Sequence, residues 1–171
     1  MPDIVEGRLT FTFPSTWQAL KYDETSFYKK HFQKLAGSRC VDIVAFDAST
    51  DDQLWLLEVK DYRRLRRKKT EDIFVEIAKK VRDTLANLYL AQRHEEADCF
   101  DFAQLAGQKQ SIRVVLHLEQ QRLPSKLYPE VVARTNAQIK LRQAVRVADP
   151  HALFCEMAKM PAQCRWTVTS R

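Results

Sequence analysis

The sequence predicts one α/β domain. Apolar runs of strand length interleave with amphipathic stretches of helical length. Only three glycines punctuate 171 residues, too few for a many-turned all-β fold. A hydrophobic share of 45% with 10% aromatics excludes a disordered chain. At this length about 70% of the unfolded surface can be buried. No repeat, linker or low-complexity tract divides residues 1–171.

Residues 5–13 (VEGRLTFTF) alternate and read as a strand stopped by Pro14. Ser15 or Thr16 can cap a following helix. On that helix Trp17, Leu20, Glu24, Phe27, Tyr28, His31, Phe32 and Leu35 recur at helical spacing, with Gly37 as its stop. Glu24 is an acid among aromatics. It sits either on the face that meets the sheet or, if the helix breaks near Tyr22 and Asp23, in a first turn where the dipole favours it. His31 reads as a packing residue, and Lys29, Lys30 and Lys34 as a solvated face.

From Arg39 to Tyr62 two apolar strands flank a turn of residues 48–52. Alternation puts Cys40, Asp42, Val44 and Phe46 on one face of the first strand, and Leu54, Leu56, Glu58 and Lys60 on one face of the second. A hairpin symmetric about Thr50 pairs Phe46 with Leu54, Val44 with Leu56, and Asp42 with Glu58. Two carboxylates opposed at about 5 Å repel by roughly 3 kcal/mol at an effective dielectric near 20. One is therefore protonated, or a cation lies between them. Lys60 can supply part of that charge, and hard oxygen ligands suit Mg²⁺ or Mn²⁺. The plainer alternative is a solvated hairpin face with an ordinary Glu-Lys pair.

Next, Arg63, Arg64, Arg66, Arg67, Lys68 and Lys69 put six positive charges into seven positions. Beginning three residues after Lys60, they are candidate phosphate contacts. A nuclear import signal has the same composition. Thr70 caps the following helix, whose stripe runs from Ile73 through Ile77, Val81 and Leu85 to Tyr89. Lys79, Lys80 and Arg82 lie off the stripe and read as solvated. His94 to Gln110 is irregular, and its acids suggest no metal site. Ser111–Glu119 is a largely buried strand. Pro129 opens a basic helix to about Val147, a short helix follows from His151 to Met160, and Arg165–Thr169 suits a last strand.

The net charge of +6 and pI near 9.2 permit a polyanionic partner. The four cysteines make no C-x-x-C pair, which argues against zinc or iron-sulfur sites. With no signal-peptide pattern and no apolar run of spanning length, a reducing, cytoplasmic setting and no membrane are expected. G-x-S-x-G, G-x-x-x-x-G-K-[ST] and H-E-x-x-H are all absent.

A helix, a strand with Asp42, a strand with Glu58-Val59-Lys60, a helix and a strand: in this order residues 15–119 resemble the PD-(D/E)XK nuclease superfamily, which includes restriction endonucleases and Holliday-junction resolvases. Val41 stands where the motif has proline, as in many members. The resemblance implies a restriction-endonuclease-like fold, a central mixed β-sheet flanked by helices, with C-terminal helices and the last strand across 128–171. It implies a metal-dependent nuclease acting on DNA. Asp42 and Glu58 would ligate one or two Mg²⁺ (or Mn²⁺) ions, with the Val59 carbonyl as a further ligand. Lys60 would orient or deprotonate water or steady the phosphoryl charge, and Glu24 matches an assisting helix acid. An inert relative that binds nucleic acid or protein, as a homodimer or as a subunit of a repair or defence complex, is the alternative.

Overall fold

The computed structural model describes residues 2–35, 37–50, 52–64 and 67–171. Its centre is a five-stranded mixed sheet in the order β3 (Trp17–Lys21), β4 (Ile43–Asp47), β5 (Gln53–Asp61), β6 (Ser111–Glu119) and β7 (Leu153–Cys155). The first three strands run antiparallel, and β5, β6 and β7 run parallel. Parallel neighbours need crossovers. Helices α1 (Ile73–Ala91) and α2 (Phe100–Gly107) lie between β5 and β6, and α3 (Arg134–Val145) lies between β6 and β7. A smaller antiparallel sheet comprises β1 (Asp3–Glu6), β2 (Leu9–Thr12) and β8 (Thr167–Ser170).

Both faces of the large sheet are covered, each by its own core. Val44, Phe46, Leu54, Leu56 and Leu116 meet the helices, while Ile43, Ala45, Trp55, Leu57 and Val115 meet the small sheet. Trp17, Trp55 and Trp166 join in that second core with ring centroids 5.2–6.1 Å apart.

Several sequence expectations need correction. The single strand over 5–13 is the hairpin β1–β2, turning at Gly7 with φ +57°, a value a two-residue hairpin loop needs and glycine supplies cheaply. The helix from Ser15 to Leu35 is instead strand β3, a 3₁₀ turn at Tyr22–Glu24 and a π-helical turn at Tyr28–Phe32. Strand β3 has apolar neighbours on both sides, Trp17 and Ala19 towards one core and Leu20 towards the other. Its period of two is hidden, and the Trp17–Leu20 spacing imitates a helix.

Asp72, rather than Thr70, caps α1, its Oδ1 accepting from the Phe74 amide at 2.7 Å. The basic helix starts at Arg134 rather than Pro129 because the Gln120 carboxamide ties down the preceding backbone. It accepts from the Val131 amide at 3.0 Å and donates to the Val132 carbonyl at 2.8 Å. The helix expected over 151–160 is replaced by β7, whose Leu153 and Cys155 are buried beside β6. All four cysteines are free and buried. Among the described residues no helix is long and apolar enough to cross a membrane.

Candidate active site

The expected hairpin register is realised: Phe46 pairs with Leu54 and Val44 with Leu56. The β4–β5 ladder closes at Ile43 and Leu57. Asp42 therefore lies one step beyond β4, level with Glu58. Its Oδ2 accepts from the Val59 amide at 2.7 Å, so a side chain takes over from the ladder. The Asp42 carbonyl accepts from the Tyr22 amide at 2.9 Å, and the Val41 amide donates to Thr84 Oγ1 of α1 at 2.9 Å. Asp42 is thus fixed from β5, β3 and α1 together, and it is 6% exposed.

Glu58 is fully buried. Its Oε1 lies 2.5 Å from Lys60 Nζ and 2.7 Å from Lys80 Nζ, and Lys80 also donates to Oε2 at 2.8 Å. Lys80 Nζ is 3.4 Å from Asp42 Oδ1. Glu58 Oε1 is thus shared between the two ammoniums. Three carboxylate oxygens thus converge on one cation position, and the Lys80 ammonium holds it. Lys80 is 8% exposed, which corrects its expected place on a solvated face. Two negative and two positive charges offset each other in a site almost closed to water.

Burial pushes the Glu58 carboxyl up to about 7, Asp42 adds to the rise, and the two lysines only partly oppose it. Burial works against the charge on Lys80 and Lys60, but the acids outweigh it and hold both above the ordinary lysine range.

Glu24 does not join the group. It is exposed, paired with Lys21 at 2.7 Å, because the 3₁₀ turn points it outward. The acid that senses Asp42 is its neighbour Asp23, raised to about 6 by burial, then by Asp42 and Glu6. Its buried Oδ1 has no hydrogen-bond partner among the described residues. Sequence spacing missed both Asp23 and Lys80. The only sign of Lys80 was its place one turn beyond Ile77 on the helix that must cross over Glu58.

The basic run divides. Arg63 forks onto Asp61, with Nη2 to Oδ2 at 2.7 Å. Arg67 reaches Glu76 Oε2 at 3.1 Å and Tyr62 Oη at 3.1 Å, and Lys69 also pairs with Glu76. Arg64 and Lys68 are exposed, and Arg66 lies outside the described residues. Glu76, buried one turn before Lys80, anchors this part of the run beside the site. A cleft of about 400 Å³ opens onto Lys80 and is lined by Arg39, Lys68, Lys69 and Lys79 together with Glu71 and Glu76, which pair with Lys79 and Lys69.

Among the described residues no group of three or more His, Cys, Asp or Glu side chains is placed to hold a metal ion. The oxygens present nonetheless fit a hard divalent cation. Asp42 Oδ1 and both Glu58 oxygens already surround one positive charge.

No family model and no solved structure matches the chain. It is similar to a cysteine–tRNA ligase of Neisseria meningitidis serogroup A, 37% identical over 162 aligned residues. That alignment takes in 75% of this chain and 23% of the relative. The chain therefore spans about a quarter of the length of the curated relative it matches.

Proposed function

We propose that the protein is a metal-dependent nuclease that hydrolyses phosphodiester bonds in DNA. The observation that carries this reading is the convergence of Asp42, Glu58 and Lys60 at the end of the β4–β5 ladder, around a cation position bounded by three carboxylate oxygens. The strand order supports it too: three antiparallel strands, a helical crossover, then a fourth strand parallel to the third. That is the arrangement a restriction-endonuclease-like domain requires.

In this reading Asp42 and Glu58 would hold Mg²⁺ or Mn²⁺, with the Val59 carbonyl as a further ligand. The ion, when bound, lowers the pKa of its water and neutralises phosphoryl oxygens. Lys60, 18% exposed at the outer edge of the pair, meets the scissile phosphate and steadies its negative charge. Lys80 favours the ionised form of Glu58, only partly offsetting its burial, and competes with the metal for the same oxygens. Lys68, exposed beside the cleft, draws the phosphate backbone towards the site.

A second reading has its own observation. With Lys80 already filling the cation position, the same fold serves as an inert nucleic-acid-binding subunit. Incubating the protein with duplex DNA, single-stranded DNA and RNA, each with Mg²⁺ or Mn²⁺, separates the two. RNA is included because the similar protein is a tRNA ligase. Metal-dependent cleavage of DNA that disappears in Glu58→Ala and Lys60→Ala is the expected result. Binding without cleavage of any substrate under either metal overturns the nuclease reading.

A further inference from the structure

On the other face of the large sheet, a crevice of about 840 Å³ opens at the carboxyl ends of β5, β6 and β7. In sheets with parallel strands this is where ligands settle. Arg8 enters it from the β1–β2 turn, Arg63 and Arg64 from the end of β5, Arg122 from the end of β6, and Arg134 from the start of α3.

The acids along the crevice are already engaged. Glu119 accepts from the Met157 amide at 2.5 Å and lies 3.0 Å from His117 Nε2. Glu156 accepts from Arg134 at 2.9 Å, and Asp61 is held by Arg63. Arg8, Arg64 and Arg122 are exposed and have no ion-pair partner among the described residues. Three guanidinium forks from three different loops thus line one large opening, none of them closed into an ion pair among the described residues, although the charge of Arg8 also acts on Asp61.

We infer that this crevice binds the phosphate backbone of a polynucleotide. Guanidinium forks match phosphate oxygens. Among the described residues no aromatic side chain lines the crevice, so contact there falls on the backbone and not on stacked bases. A small phosphate ligand would call for donors gathered on one point, whereas these come from separate loops around a long rim. The basic run straddles the end of β5, with Arg63 and Arg64 on this side and Lys68 and Lys69 beside Lys80. The inference rests on the nuclease reading only for what the bound strand is used for, and its test needs no catalysis.

The test is fluorescence anisotropy of a labelled duplex in EDTA, titrated with salt. It compares the parent, the triple variant Arg8→Ala/Arg64→Ala/Arg122→Ala and the corresponding triple lysine variant. The expected result is a log–log salt slope shallower by about 2.7 in the triple alanine variant, from ~0.9 per phosphate contact. Most of the slope should remain in the lysine variant. A triple alanine slope equal to that of the parent overturns the inference, as does a parent that binds no duplex. Inorganic triphosphate that binds more tightly than the duplex, through the same arginines, also overturns it in favour of a small-molecule site. Because metal is absent throughout, failure of cleavage leaves this result untouched.

Discussion

The Asp42 carboxylate takes the Val59 amide at 2.7 Å, at the step where the β4–β5 ladder would otherwise have gone on. The backbone of β4 is thereby released just where its side chain is needed, while the second carboxylate oxygen stays turned towards Lys80. Asp42→Ala strands a buried N–H and should cost about 1–3 kcal/mol in denaturant unfolding. Asp42→Asn keeps an acceptor and should lose less. Equal stability of the alanine variant and the parent would refute this role.

Lys80 is the main cation of the buried group. Lys80→Met leaves Glu58 with Lys60 alone, and breaking a buried pair in this way costs about 3–5 kcal/mol. Above pH 7, where Glu58 is ionised, the same variant should bind Mg²⁺ more tightly by calorimetry, because the competing ammonium has gone. Weaker binding would mean that Lys80 shapes the cation position rather than competing for it.

The fold makes protonated Glu58 and Asp23 more favourable than they are in the unfolded chain. Their carboxyls rise from 4.5 to about 7 and from 3.8 to about 6. The folded state therefore binds more protons across this window, and the stability these groups contribute is complete below the lower values. It falls as pH rises towards 7 and is constant above. Glu58→Gln removes one titration, so unfolding measured from pH 4.5 to 7 should show the variant gaining on the parent as pH increases. A constant difference would place the proton elsewhere.

Thr84 Oγ links the helix to the site, accepting from the Val41 amide at 2.9 Å and donating to the Lys80 carbonyl at 2.7 Å. Thr84→Val keeps the shape but orphans the amide, at an expected cost of about 1–3 kcal/mol. If Asp42 is placed through this contact, kcat should fall with little change in KM, and Thr84→Ser should restore it.

The central hairpin was legible because it satisfies two rules at once: apolar alternation on each strand, and a turn whose length sets the register. Asp42, Glu58 and Lys60 came with it. Strand β3 was not legible, because cores on both faces leave no polar side to mark a strand. Asp23, and not Glu24, lies close enough to sense Asp42 because one residue of turn decides which acid points inward. Lys80 escaped notice because a lysine off an apolar stripe is ordinarily solvated. Only the packing of α1 across the sheet, which pairwise spacing does not encode, brings a buried carboxylate within its reach.

The tryptophan triad between the two sheets gives the chain a built-in optical reporter. All three tryptophans of the sequence meet there, with Trp166 immediately before the strand that completes the small sheet. Intrinsic emission therefore follows the docking of the terminal strands and is nearly blind to the helices and the acid–lysine group. Rearrangement around Lys80 would pass unseen in that signal, whereas peeling of the chain ends would dominate it. A mismatch between tryptophan emission and far-UV dichroism during unfolding would thus map which face of the sheet opens first.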